Sequence, residues 1–411
     1  MKKLISKLGM SDLVPAKYLA WFRILAFGLI AAEIIQYSQR AYLQWFFIEG
    51  RVRFPYELIP VSFDMTEPIL NLMLGTILLS SVLCAIGLFY RYARWVFVVS
   101  FFVFFFQDKM LWNNHWYLFL LIGISALFLD LNRSFSVDSL INPKTKTDSF
   151  PRWYYYLLGF QVGHVYFFGG IAKINPDWLF GYQPIGTFLS QRTDYFLIGS
   201  IFSQSWSGPF FAWSGMLFDL TIAFLLWNRM TFKIAVGLTI FFNITNTIIF
   251  DIGMFPYFMI AGNLIFLGVV KDALPATKHT VIISNRKPIV IFISVFIAFQ
   301  TVFPLRQFFY DGNPSWIGIC ERFSWRMMIQ TKDVEELKFY AVDTRNGNRQ
   351  EIDPATFLFP PQMVAILVFP DMLPPVAKEM HSYFRKTGLK DFGVHAEIKA
   401  SFNGRKFQQM I

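Results

Sequence analysis

The chain of 411 residues is 55% hydrophobic and only 16% charged, and it contains 50 phenylalanines and 12 tryptophans. A soluble domain usually carries about 25% charged residues, so this composition excludes an ordinary water-soluble protein and indicates an integral membrane protein. The net charge of +10 does not indicate a nucleic-acid partner, because the basic residues are scattered between apolar runs, where they orient loops and meet anionic lipid.

Long apolar runs predict about nine membrane-spanning helices, since one crossing of a bilayer needs roughly 17 to 25 residues. The runs are residues 18–38, 69–90, 93–107, 116–131, 153–172, 209–227, 231–250, 254–270 and 287–305. The first run is too long for a cleaved signal peptide and lacks a small-residue cleavage site. The predicted fold class is therefore mainly α, a polytopic membrane helical bundle over residues 1–306.

Lysine and arginine concentrate on one side of this predicted bundle. With the N-terminus in the cytoplasm, every inner segment is basic, as the positive-inside rule requires. The inner basic residues are Lys2, Lys3, Lys7, Arg91, Arg94, Arg133, Lys144, Lys146, Arg152, Arg229, Lys233, Lys271, Lys278, Arg286 and Lys287. Nine spans then place the C-terminal part outside, in a periplasm or a lumen. Residues 271–287 are expected to form a flexible cytoplasmic loop.

After residue 306 the hydrophobic runs shorten and the charges increase. Two short segments are interpreted as strands, alternation of apolar and polar residues predicts a third, and the Arg-Asn-Gly-Asn segment has turn chemistry. The predicted elements are strands at 336–342, 364–369 and 394–402, a turn at 345–348 and a helix at 378–386. Residues 307–411 are thus predicted to form a small α+β extramembrane domain.

Several polar side chains occur where an apolar bundle makes them costly, which makes them candidate functional groups. Most of them lie near the predicted outer ends of the spans. They are Trp112-Asn113-Asn114-His115 before the fourth span, Lys173 at the end of the fifth, and Asn243 and Asn246 in the seventh. Gln161, His164 and Asp219 lie deeper, in the fifth and sixth spans.

Each candidate also has a structural interpretation. A lone lysine such as Lys173 usually extends its amine to the membrane interface, and residue type alone favours that role over catalysis. The polar residues before the fourth span could cap a helix, and the asparagines of the seventh could hydrogen-bond neighbouring helices. For Asp219 we favour pairing with an internal base or hydroxyl. For His164 we favour a satisfied interior histidine over a metal ligand.

Metal and hydrolase motifs are weakly represented. The sequence has no HExxH, CxxC or G-x-S-x-G motif, and it has only five histidines and two cysteines, Cys84 and Cys320. No metal site is therefore expected. Residue types alone indicate an outward-facing intramembrane site of Lys, His and Asn, whose aromatic surroundings suit a planar lipophilic ligand such as a quinone. A non-enzymatic transporter or lipid-binding protein is an alternative, which the lack of paired half-helices and repeats disfavours.

Short motifs follow one another along nearly the whole chain. The most specific segment is Gly169-Gly170-Ile171-Ala172-Lys173, followed by Asp177-Trp178 and Gly181-Tyr182. The others include Phe22-Arg23, Arg53-Phe54-Pro55, Asp108-Lys109, Trp112-Asn113-Asn114-His115, Asp219-Leu220, Gly253-Met254-Phe255-Pro256-Tyr257, Ser324-Trp325, Met327-Met328 and Phe407-Gln408-Gln409. In this order, from about residue 18 to residue 411, the chain resembles the vitamin K-dependent γ-glutamyl carboxylase family, also called the horizontally transferred transmembrane domain family.

The resemblance implies a carboxylase-epoxidase that makes a strong base from a lipid cofactor. In the family, a lysine deprotonates vitamin K hydroquinone, the anion reacts with O2, and the oxygenated product removes the γ-proton of a peptide glutamate. CO2 then adds to give γ-carboxyglutamate, and the cofactor leaves as its 2,3-epoxide. The expected partners are the lipid bilayer, vitamin K hydroquinone or a menaquinol-like naphthohydroquinone, and a glutamate-containing exported peptide.

The resemblance also assigns roles to particular residues. Lys173 matches the catalytic lysine, which must be neutral to act as a base, and apolar surroundings would favour that form. Asn114 and His115 match the pair that holds the quinone oxygen, where both can donate hydrogen bonds to an anionic oxygen. Trp112 is expected to form a wall of the cofactor site.

Departures from the family pattern leave an alternative open. The chain has Asn243 and Gln330 where the animal carboxylase has histidines, and we expect these two residues and Asn246 to shape the glutamate pocket. The alternative is a homologue that retains quinol oxygenation but not peptide carboxylation. Phe89 stands where the animal enzyme has its membrane-proximal cysteine, so its disulfide is not expected. The motifs end without the large luminal region of the animal enzyme, and we expect a bacterial inner-membrane homologue.

Overall fold

A computed structural model describes residues 10–39, 42–59, 61–196, 198–271, 287–389 and 391–410, which are mainly helical. The predicted cytoplasmic loop lies almost entirely outside the described residues. The inner basic residues Lys2, Lys3, Lys7, Lys278 and Arg286 lie outside them as well.

Helices occupy the predicted spans. The main ones are α1 (Lys17–Ser38), α2 (Glu67–Ile86), α3 (Tyr90–Phe105), α4 (Asn114–Ala126), α5 (Arg152–Ala172), α6 (Ser207–Trp227), α7 (Phe232–Ile249), α8 (Phe255–Ala261), α9 (Asn263–Val270) and α10 (Lys287–Val302). The predicted span at 254–270 is divided into α8 and α9 at Gly262. Short helices connect these elements at Val137–Ile141, Pro176–Leu179, Ile185–Ser190, Gly199–Phe202 and Pro314–Ile317.

Helix length and hydropathy support fewer crossings than the predicted nine. Within the described residues, five helices are long and apolar enough to cross a bilayer, and these are Lys17–Ser38, Glu67–Ile86, Ser207–Trp227, Phe232–Ile249 and Val290–Phe309. By contrast, α4 has 13 residues, which corresponds to about 20 Å. Every residue of α4 from Trp116 to Gly123 is buried, so other helices surround it in place of lipid.

Local sequence signals set the ends of the helices near the candidate residues. Asn113 caps α4, because its side-chain oxygen accepts a 2.7 Å hydrogen bond from the backbone N–H of Trp116. Gly87 ends α2 in the left-handed conformation, with φ of +67°. A Cβ on Gly87 would lie 1.8 Å from the guanidinium of the buried Arg23, so both the backbone and the packing require glycine there.

The C-terminal part contains a four-stranded antiparallel sheet with strand order β4–β3–β5–β6. A separate two-stranded sheet pairs β1 (Leu13–Pro15) with β2 (Ser149–Pro151). The strands of the C-terminal sheet are β3 (Lys332–Asp343), β4 (Arg349–Ile352), β5 (Phe392–Phe402) and β6 (Gln408–Gln409). The C-terminal part also contains helices α11 (Pro360–Val368) and α12 (Leu373–Lys386). Phe339, Ile398, Ile366 and Val376 meet in its core. The predicted strands at 336–342 and 394–402, the turn and the last helix are confirmed.

The predicted strand at 364–369 is wrong, because most of that segment belongs to α11. Its apolar run lacks the alternation of a half-buried strand, and a short apolar run of this kind does not distinguish strand from helix. Pro360 and Pro361 begin the helix, where proline is preorganised, and the side chain of Gln362 accepts a hydrogen bond from the backbone N–H of Phe359.

Candidate active site

A cavity of about 510 Å³ lies among α5, α6, α7 and α8. Most of its lining is apolar, and it includes the rings of Phe218 and Phe242, which stack with centroids 3.9 Å apart. Four of the polar residues that the sequence singled out line this cavity, namely Lys173, Asp219, Asn243 and Asn246. The fold therefore brings together groups that are up to 73 positions apart in the sequence.

The most unusual feature of the cavity is a buried ion pair. The Lys173 Nζ atom lies 2.5 Å from Oδ2 of Asp219, and the two residues are 7% and 3% exposed. The amine also lies 3.4 Å from the carbonyl oxygen of Gly169 and 5.3 Å from the centre of the Trp178 ring. An amine and a carboxylate at this distance, away from water, can share or transfer a proton.

Small residues allow the two charged side chains to meet. A Cβ on Gly170 would lie 2.8 Å from the backbone nitrogen of Leu220, so glycine lets α5 and α6 approach closely.

The Trp178 ring is fixed from two directions. Asn175 caps the short helix that carries it, accepting from the Trp178 backbone N–H at 3.0 Å, and the indole N–H donates to the carbonyl of Ala212 at 2.7 Å.

Asn243 is held inside the cavity wall. Its Nδ2 atom donates to the hydroxyl of Tyr166 at 2.9 Å and to the carbonyl of Thr239 at 2.8 Å. One donor pairs with the backbone of its own helix and the other with α5, as expected for an asparagine that joins neighbouring helices. Asn246, one turn further along α7, lines the cavity as a partly buried residue.

The predicted cofactor-binding residues before and within α4 do not line this cavity. The Nε2 atom of His115 lies 3.0 Å from Oε1 of Glu33, and the His115 ring lies 6.0 Å from that of Phe255, which does line the cavity. Trp112 packs against Phe323, with ring centres 4.4 Å apart. Asn114 has a buried side-chain oxygen with no hydrogen-bond partner in the described part of the chain. Of this group, His115 is the residue that the described contacts bring near the cavity lining, through Phe255.

Gln330 and His164 also lie outside the cavity lining. The Gln330 side chain donates to the carboxyl group of Glu321, which is 5% exposed. Burial raises the pKa of Glu321 to about 8, against the opposing attraction of Arg326. The Nε2 atom of His164 lies 2.7 Å from the carbonyl oxygen of Gln300, whereas its buried Nδ1 atom has no hydrogen-bond partner among the described residues. His164 is thus an interior histidine with one of its two ring nitrogens paired.

The sequence assigned Asp219 only a structural role, and it gave no role to the carboxylate of Glu33. Asp219 does pair with an internal base, as expected, but that base is Lys173, so Asp219 belongs to the candidate site. Glu33 was not singled out. The available signal was the same for both residues, a carboxylate in the middle of an apolar run, which is rare unless it has a partner.

The described residues form a mainly helical protein with five helices long and apolar enough to cross a membrane, a cavity that holds a buried amine–carboxylate pair, and a small C-terminal α+β part. Among the described residues, no three histidine, cysteine, aspartate or glutamate side chains are grouped as a metal site, and Cys84 and Cys320 are free thiols. Residues 13–269 match the HTTM domain, and residues 285–411 match the vitamin K-dependent gamma-carboxylase, lumenal domain. The chain belongs to the vitamin K-dependent γ-glutamyl carboxylase family, which confirms the resemblance. No solved structure matches the chain.

Proposed function

We propose that this protein is a vitamin K hydroquinone-dependent γ-glutamyl carboxylase, which forms the 2,3-epoxide of the cofactor with O2 and carboxylates a peptide glutamate with CO2. The observation that carries the proposal is the buried pair of Lys173 and Asp219 in the wall of an apolar cavity. When bound, the hydroquinone supplies with O2 the strong base that no protein side chain can provide at neutral pH.

The cavity suits a lipophilic bicyclic ring with a hydrocarbon tail. Its volume of about 510 Å³ falls within the range of roughly 300–1,000 Å³ typical of small-molecule sites, and its lining is mostly apolar. Leu217 and Phe241, from α6 and α7, line it and are 52% and 70% exposed on the surface of the helices. Since both helices are apolar enough to face lipid, this rim offers access from the bilayer.

Lys173 is proposed as the base that accepts the proton of the hydroquinone. The pair shares one proton across 2.5 Å, and with that proton on Asp219 the amine of Lys173 is neutral and can take up a second proton from the hydroquinone. The product is an ammonium ion beside a carboxylic acid, and its positive charge balances the negative charge on the oxygen that gave up the proton. Trp178 and the phenylalanines around the pair exclude solvent, which protects a strong base from being quenched. Asp219 thus acts as the partner that holds the amine and its proton.

We further propose that the bundle of residues 1–306 crosses a bacterial inner membrane an odd number of times, with the N-terminus in the cytoplasm, and that residues 307–411 lie in the periplasm. The basic inner segments support this orientation. A contact near Lys173 supports it too, because Nδ2 of Asn403 in the C-terminal part lies 3.2 Å from Oδ2 of Asp177, and Arg405 pairs with the same carboxylate. The end of α5 that carries Lys173 therefore meets the C-terminal domain, where an exported peptide would arrive.

A second candidate function retains quinol oxygenation without peptide carboxylation. Asn243 is already bonded to Tyr166 and Thr239, and Gln330 is turned to Glu321 and lies outside the cavity lining. Both recorded hydrogen bonds of Asn243 use its amide donors, and Gln330 does not line the cavity, so neither side chain offers the cavity the N–H donor that a histidine could give to a glutamate. This pattern argues against peptide carboxylation and has no bearing on quinol oxygenation, which both candidates share.

The two candidates differ in their products. Purified protein is supplied with reduced vitamin K, O2, labelled CO2 and a glutamate peptide, and both epoxide and incorporated label are measured. The carboxylase predicts both products, and the second candidate predicts epoxide without label. Absence of epoxide from the wild-type protein, with or without peptide, would refute both.

A further inference from the structure

A second buried acidic side chain, Glu33, contacts His115, whose ring lies 6.0 Å from that of the cavity residue Phe255. Glu33, in the middle of the apolar helix α1, is only 1% exposed. An isolated carboxylate is expensive in a membrane bundle, so a retained one requires partners that use its charge. The Lys173 and Asp219 pair does not involve it.

The carboxylate of Glu33 has two different partners, one on each oxygen. Oε1 lies 3.0 Å from Nε2 of His115 at the start of α4, and Oε2 accepts a 3.0 Å hydrogen bond from the backbone N–H of Met254. The turn wraps closely around it, because Gly253 has φ of +58° and a Cβ there would lie 2.7 Å from Oε2. Glu33 is therefore a bridge between His115 and the turn that leads into α8.

This bridge determines which atom of His115 is available to a ligand. A carboxylate can only accept a hydrogen bond, so the His115 Nε2 atom must carry a proton. The Nδ1 atom is then the one ring nitrogen left to contact a ligand, and the partner of the other nitrogen fixes the orientation of the imidazole. The same carboxylate holds the backbone beside Phe255, whose ring lies 6.0 Å from that of His115 and lines the cavity.

We propose that Glu33 is a positioning residue for the cofactor site: it orients His115 with Nδ1 toward the quinol and holds His115 in register with the cavity wall at Phe255. The inference rests on the proposed function, since it assigns a partner to the imidazole expected to bind the quinol oxygen. It also joins the residues of α4 to the cavity that contains Lys173.

The test compares Glu33→Gln with Glu33→Asp. The glutamine has one oxygen acceptor where the carboxylate has two, so it cannot satisfy both His115 and Met254, whereas aspartate keeps the charge on a shorter side chain. We expect Glu33→Gln to lower kcat for epoxide formation by about 10- to 100-fold, as loss of the partner that orients a functional imidazole typically does, with a smaller change in KM. Glu33→Asp should recover part of the loss.

Nitrogen-15 NMR of histidine-labelled protein provides a readout that does not depend on turnover. The signals of His115 are assigned by their loss in His115→Asn. In the wild-type protein we expect a protonated Nε2, and addition of menadiol should shift Nδ1 more than Nε2. In Glu33→Gln the Nε2 signal should move and the response of Nδ1 to menadiol should weaken.

The matched control is Asp108→Asn, which alters another buried carboxylate that accepts two backbone hydrogen bonds, from Phe54 at 2.7 Å and from Met110 at 2.9 Å. It should leave the His115 signals unchanged. Unchanged His115 signals in Glu33→Gln, a menadiol response confined to Nε2, or an unchanged kcat would each overturn the proposal. If wild-type protein forms no epoxide, the proposed function fails, while the NMR comparison still decides the role of Glu33.

Discussion

Replacing Lys173 alone should destabilise the fold far more than replacing both Lys173 and Asp219 by apolar residues. In Lys173→Met the Asp219 carboxylate stays buried without its cation, and breaking a buried pair in this way costs about 3–5 kcal/mol. In the double variant Lys173→Met/Asp219→Leu no charge remains to be desolvated, and replacement of a buried pair by apolar side chains is often neutral or stabilising. The double variant should therefore be more stable than Lys173→Met by several kcal/mol.

The assay is the free energy of unfolding of the four purified proteins, wild type, both single variants and the double variant, from reversible titration with a denaturing detergent in bicelles. A matched control is the pair of Lys399 and Glu335, which is just as close at 2.6 Å but 43% and 48% exposed. Its coupling should be below about 1 kcal/mol. Additive effects of Lys173→Met and Asp219→Leu would refute the assignment of a buried, coupled pair.

Two further predictions concern stability elsewhere. Burial raises the pKa of Glu321 from its ordinary 4.5 to about 8, so the folded state binds a proton that the unfolded state releases between these pH values. The stability from the protonated Glu321 is therefore fully present below pH 4.5 and is lost as the pH rises to about 8. Glu321→Gln should flatten the resulting fall of Tm between about pH 5 and 8, and an unchanged slope would contradict this prediction. Gly170→Ala forces a Cβ to within 2.8 Å of Leu220 and should cost about 1–3 kcal/mol and lower epoxide formation, whereas Gly75→Ala meets nothing within 4 Å and should be neutral or stabilising.

Periodicity and apolar run length were sufficient for most of the fold. Each predicted span overlaps a helix in the described residues, and the strands predicted at 336–342 and 394–402 lie within β3 and β5, whereas β4, which follows the predicted turn, was not predicted. The strand prediction at 364–369 was wrong because a short, uninterrupted apolar run has no periodicity that distinguishes a strand from a helix. The division into α8 and α9 could not be read from the sequence either, since a single glycine at position 262 inside an apolar run is common in membrane helices.

The sequence predicted individual residues of the candidate site, but it did not predict which of their side chains contact each other. Lys173, Asn243 and Asn246 were expected from the cost of polar groups in a bundle, and they share one cavity. That Lys173 meets Asp219, 46 positions away in the chain, depends on how α5 packs against α6, which composition does not encode. The bridge made by Glu33 is less visible still, because it connects α1, α4 and a turn before α8.

The most direct test of the central claim is epoxide formation by wild-type protein and by Lys173→Ala, measured side by side with reduced vitamin K under O2. We expect epoxide from the wild-type protein and none above background from Lys173→Ala, with both proteins still inserted in the membrane. Equal epoxide formation by the two proteins would remove Lys173 from the chemistry and contradict the account.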